Sequence, residues 1–139
     1  MKYIRKDNAI VARIDKGEEI IEQVRIIAEK ENIIFGYANA VAAIDDFCVC
    51  VYSFEEQKFY DNVFTGPHEV VSLNGPINRM NGEPYIHFHL AAASKEGNVV
   101  GGHMKYAKVS ATCEMFITLN DIPVSRFHDE ESGLNLFDI

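Results

Sequence analysis

A chain of 139 residues with 47% hydrophobic and 24% charged side chains has the balance of one globular domain, large enough to bury a core without disulfide or metal staples. That balance excludes a disordered or fibrous chain, and the formal net charge of −8 gives no support to nonspecific nucleic-acid binding, which needs basic groups against phosphates. No apolar run approaches the roughly 20 residues of a membrane helix, and "MKYIRKDNAIVARI" alternates charge with hydrophobe and reads as no signal peptide, so a cytoplasmic protein is expected.

In chain order, "AIVARI" alternates and is β-branched, which predicts a strand. "DKGEEIIEQVRIIAEKENI" predicts the one clear helix. Ile20, Val24 and Ile27 recur at helical spacing, Ile21 and Ala28 widen the stripe, and Glu18 and Glu19 meet the positive end of the helix dipole in the first turn. "IIFGYANAVAAI" and "FCVCVYSF" predict two strands separated by an acidic turn at Asp45-Asp46. Three cysteines make no disulfide framework and suit a reducing compartment. Cys48 and Cys50 share one strand face. A C-x-C pair can bind soft metals, but with no second pair these two read as small core hydrophobes.

"KFYDNVF" predicts a strand, "TGP" a break, and "HEVVSLNG" a short strand closed by Gly75-Pro76. "INRMNGEP" reads as a loop with a turn at Asn81-Gly82. "YIHFHLAAAS" predicts a strand, "KEGN" a hairpin turn and "VVGGHM" the returning arm. "KVSATCEMFITLN" and "IPVSRFHD" predict the last two strands. One helix among many strands predicts a single α+β domain over 1–139, a mainly antiparallel β-sheet with a packed helix.

The chemistry concentrates in "YIHFHLAAASKEGNVVGGHM". Alternate residues of a strand share a face about 6.5–7 Å apart, so His87 and His89 project together while Phe88 and Leu90 face an apolar layer. The hairpin return brings His103 beside them. Three neutral imidazoles form the ligand set of an open, catalytic-type zinc site. Gly101 and Gly102 remove side chains where a ligand or another backbone approaches, or mark a bulge. Spacing alone also allows three half-exposed polar residues. Glu69, on a strand that can neighbour the histidines, is a candidate general base toward a water on the metal, or a solvent-facing carboxylate. Arg79, in the loop before the histidine strand, is a candidate to hold a substrate carboxylate bidentately. His68 and His128 read as surface histidines.

The segments "TGPHEVVSLNGPI", "GEPYIHFHLAAASKEGNVVGGHM" and "DEESGLNLFDI" together resemble the plants-and-prokaryotes conserved (PPC, or DUF296) domain. A Gly-Pro-x-Glu-[Ile/Val]-x-Ser-Leu-x-Gly strand matches 66–75, Pro-x-x-His-x-His matches Pro84 to His89, Gly-Gly-His follows at 101–103, and Ser-Gly-Leu stands at 132–134. The resemblance spans essentially the whole chain. It implies an α+β fold like that of acetolactate decarboxylase, a homotrimer, and a three-histidine zinc centre carried here by His87, His89 and His103.

Two features depart from the family. Ala40 and Ala42 stand where glycines are usual, and the Arg-Gly-Arg-Pro core of the plant members' AT-hook is absent; those members also lack the histidines. Two functions from different classes follow. One is a metal-dependent enzyme or binding protein for an unknown small molecule, its reaction open between hydrolysis and decarboxylation. The other is a DNA-binding or transcription-associated trimer, which the acidic charge opposes. A third reading keeps only an oligomeric interaction module.

Overall fold

The computed structural model describes residues 1–139. The elements in order are β1 (Lys2–Lys6), β2 (Ala9–Asp15), α1 (Ile20–Lys30), β3 (Phe35–Ser53), β4 (Lys58–Met80), β5 (Glu83–Ile86), β6 (His89–Ser94), β7 (Val99–Asn120), β8 (Ser125–Asp129) and β9 (Leu134–Asp138). β1 and β9 lie outside the strands that sequence periodicity picks out.

The expected α+β class is corrected. Only 11 residues are helical, and every strand pairing is antiparallel. β3 lies between β4 and β7, and the short β6 pairs with both β4 and β7, so the sheet closes on itself as a barrel. β2 extends it from β7, with β1 outside β2, and β5 extends it from β4. α1 is an addition to an all-antiparallel β structure rather than one half of it.

The expected strand breaks are corrected as well. β3, β4 and β7 run for 19, 23 and 22 residues, far beyond the usual strand of about 5–6. The acidic pair Asp45-Asp46 sits at a register shift inside β3, and Gly66-Pro67 and Gly75-Pro76 lie inside β4. None of these sites ends its strand: Asp45-Asp46 and Gly66-Pro67 face each other at one register shift, as bulges in curved sheets do, and Gly75-Pro76 pairs in unbroken register with Ala38 and Tyr37. Where a turn does occur, the local chemistry is read correctly. Asn81 and Gly82 have φ of 53° and 85° and join β4 to β5. Ser94 N–H donates to the Asn98 carbonyl at 2.9 Å across the "KEGN" turn.

α1 buries Ile20, Val24, Ile27 and Ala28, the stripe its spacing predicts, into one 25-residue core with Ile10, Ile14, Phe47, Leu73, Phe88 and Met115. Glu19 is the N-cap. Its carboxylate accepts from Ile21 N (3.0 Å) and Glu22 N (2.7 Å), and from Ala107 N of β7 (3.0 Å), so one side chain caps the helix and ties it to the barrel. Cys48, Cys50 and Cys113 are buried free thiols; burial pushes Cys113 up to about 12. No helix is long and apolar enough to cross a membrane.

Candidate metal centre

β5 and β6 pair with β4 in a single register, Ile86 opposite Ile77 and His89 opposite Asn74. The residues between them are held as a strand would hold them, with His87 N–H donating to the Pro76 carbonyl at 3.0 Å and Met104 N–H to the Phe88 carbonyl at 2.8 Å. Phe88 and Leu90 therefore point into the core, and His87 and His89 point to the outside of the barrel. On the other side of β6, His103 of β7 lies directly opposite His89.

The ring centroids are 4.8 Å apart for His87 and His103, 5.3 Å for His87 and His89, and 5.8 Å for His89 and His103. One nitrogen from each ring lies within 4.8 Å of the others. Ligands held about 2.0–2.1 Å from a tetrahedral ion stand roughly 3.4 Å apart, so small ring movements bring this set onto one metal.

The glycines that accompany the histidines make room for backbone. A Cβ on Gly75, whose φ is 153°, would stand 1.9 Å from the His87 carbonyl oxygen. One on Gly101 would stand 2.6 Å from the Leu90 oxygen, and one on Gly102 2.7 Å from the Cys50 oxygen. Of the two roles open to Gly101 and Gly102, close packing of neighbouring strands is the one the fold uses.

Around the histidines lies a cleft of about 680 Å³, within the range of small-molecule sites. Its walls come from far along the chain. Tyr52 and Phe59 belong to the β3–β4 arm, with the Phe59 ring 5.2 Å from that of His103. Arg126, Leu134, Asn135 and Phe137 belong to the β8–β9 hairpin. That hairpin is fastened over the site at both ends. Tyr52 Oη donates to the Ser132 carbonyl at 2.7 Å, and Gln57 Nε2 to the Glu131 carbonyl at 2.9 Å. Arg126 Nε donates to Asn78 Oδ1 at 2.9 Å, and Asn78 Nδ2 to the Val124 carbonyl at 3.1 Å.

The electrostatics favour neutral imidazoles. Desolvation, then the neighbouring His103, Arg126 and His89, lower His87 to about 4, and desolvation followed by His89 lowers His103. Metal ligation requires this unprotonated form. No hydrogen bond joins any of the three rings to the protein, and no carboxylate lines the cleft.

Two other expected site residues lie elsewhere. Glu69 is exposed on β4 opposite Ala93, four residues along β6 from His89, which is about 13 Å of strand. Arg79 is occupied: its guanidinium donates to the Ile33 carbonyl (3.0 Å), the Gly82 carbonyl (2.6 Å) and Asn32 Oδ1 (3.1 Å), securing the chain after α1. His68 bonds Gly66 O through Nδ1 and packs edge-on against Phe47, half-buried rather than on the surface, while His128 is exposed beside Asn135. Sequence reasoning misses Arg126. In "VSRFHD" it looks like any surface arginine, and nothing local announces the cleft it joins.

Residues 1–120 match the Plants and Prokaryotes Conserved (PCC) domain. The chain belongs to that family. No curated protein matches its sequence. The metal-containing protein of Archaeoglobus fulgidus is 26% identical, with a TM-score of 0.88 over 99% of this chain and 97% of that one. A PPC protein of Pyrococcus horikoshii is 24% identical, with a TM-score of 0.88 over 99% and 94%. A Bacteroides thetaiotaomicron protein provisionally described as DNA-binding is 23% identical, with a TM-score of 0.95 over 99% and 96%. The fold is thus that of the PCC domain, and the β8–β9 hairpin of this PCC protein lies beyond the residues matched.

Proposed function

We propose that His87, His89 and His103 bind one divalent metal, zinc or a similar ion, with an open coordination position toward the cleft, and that the protein is a metal-dependent enzyme or binding protein for a small molecule. The observation that carries this reading is the convergence of three imidazole nitrogens within 4.8 Å, none engaged by the protein. The metal-containing Archaeoglobus relative adds support. A bound ion supplies Lewis acidity at the open position. Around it, Tyr52, Phe59 and Phe137 shed water from the cleft, and the Gly75 approach fixes the strand that carries His87 and His89. The reading gives Glu69 and Arg79 no role at the metal, because neither faces the cleft.

The test is metal analysis of untagged protein purified without added metal, beside a His87→Ala/His89→Ala variant. About one ion per chain, lost in the variant, is expected. Absence of metal from the native protein, with none taken up on titration, would remove the proposed chemistry.

A homotrimer is part of the same proposal. Its support is an unpaired apolar row on the outer face of the sheet, where Ile4, Val11 and Phe116 stand opposite one another and are 75%, 45% and 60% exposed. Direct DNA binding, the second reading, draws on the family's plant members and is opposed by the charge of −8. A gel shift at low salt separates the two.

A further inference from the structure

Arg126 is a buried cation without an anion. It is only 8% exposed, yet no carboxylate pairs with it. Its guanidinium carbon lies 4.5 Å from the Tyr85 ring centroid and 4.4 Å from that of Phe137. Nε donates to Asn78 Oδ1 and Nη1 to the Asn135 carbonyl at 2.7 Å. Of the five N–H groups a guanidinium carries, those of Nη2 and one of Nη1 are left with no protein acceptor. Aromatic faces and neutral acceptors hold the group in one orientation but leave its charge unneutralised.

We infer that Arg126 is the anchor for the anionic group of a small organic acid, which lies in the cleft with its apolar body against Tyr52, Phe59 and Phe137. Three facts converge on this. Arg126 lines the same cleft as the three histidines, the cleft contains no acidic side chain, and its remaining walls are largely aromatic and aliphatic. A free fork of guanidinium donors matches a carboxylate or phosphate oxygen pair, and the hydrophobic walls select against a bare inorganic ion. The inference rests on the metal reading for the ligand's other end, which approaches the histidines. The anionic end depends on Arg126 alone.

The experiment is calorimetric titration of the full chain with butyrate, benzoate and phenylacetate, with their neutral amides, and with inorganic phosphate. Each is measured on chelator-treated and on zinc-loaded protein. Wild-type protein is expected to bind carboxylates and not amides, with phosphate weaker. Arg126→Gln is expected to weaken carboxylate binding roughly tenfold to a hundredfold, with Arg126→Lys between the two. Because Arg126 also ties the hairpin to Asn78, the arginine Nε–Hε resonances of unmutated protein are followed in parallel. Benzoate should shift one of them, and benzamide should not.

Carboxylate binding unchanged in a folded Arg126→Gln would overturn the inference, as would failure of every acid to bind wild type at millimolar concentration. Arg126-dependent binding to the chelated protein sustains it even if no metal ever binds. Zinc uptake with anion binding indifferent to Arg126 ends it and leaves the metal centre standing.

Discussion

Gly75 is where a single methyl group would do most damage. Its φ of 153° and the 1.9 Å approach that a Cβ would make to the His87 carbonyl leave no side chain room, and the atom opposite is backbone that cannot swing aside. Gly75→Ala is expected to destabilise the fold by about 2–4 kcal/mol and to displace His87. Denaturant melts and metal titration of the same variant check both. His87 also sets a pH dependence. Its folded value of about 4 lies below the ordinary 6.5, so between those values the unfolded chain takes up a proton that the native site refuses. The associated stability is whole above pH 6.5 and is lost as pH falls toward 4. For a partly solvated group this is about 1–2 kcal/mol. Urea melts of metal-free protein across that window should show the slope, and His87→Gln should flatten it relative to wild type.

At the scale of elements, α1 depends on a cap that reaches beyond the helix. Serine, threonine, aspartate or asparagine would satisfy the first N–H groups, but only a longer carboxylate also meets Ala107 N on β7. Glu19→Ala is expected to lower stability by about 1–2 kcal/mol, and Glu19→Gln by less, since the amide oxygen still accepts. Thermal melts of the two variants distinguish capping from charge. The other decisive element is β6, six residues long and paired on both sides. Leu90→Ala, which empties a 2% exposed core site on that closing strand, is expected to cost about 2–5 kcal/mol. Amide exchange of β6 should accelerate with it.

For the whole molecule, the acidic charge and the apolar row point to protein contacts rather than phosphate contacts. Phe116→Glu places a charge at one end of that row, opposite Val11. It is expected to convert the proposed trimer to monomer with little change in the fold of the isolated chain, which light scattering after size exclusion measures. A variant that remains trimeric would place the contact elsewhere. The cleft is likewise a property of the whole chain. The β5–β6 segment and β7 bring the histidines, while the β8–β9 hairpin brings the only buried arginine and six of the sixteen lining residues.

Sequence by itself determined whatever depends on neighbours a few residues apart. The stripe of α1, the Asn81-Gly82 turn, the "KEGN" hairpin, and the outward pairing of His87 with His89 all follow from helical or strand periodicity and turn chemistry. The meeting of His103 with that pair follows from the same hairpin. Tertiary structure alone decided that the Gly-Pro and Asp-Asp sites lie inside strands rather than end them, because pairing with neighbouring strands holds the chain extended there. It alone closed the barrel through β6, a pairing between segments distant in sequence that leaves no local signature. And it alone brought Arg126 from near the C-terminus to the histidines while keeping Glu69 and Arg79 away. Which polar side chain reaches a site depends on long-range register, and register is fixed only when the whole sheet is paired.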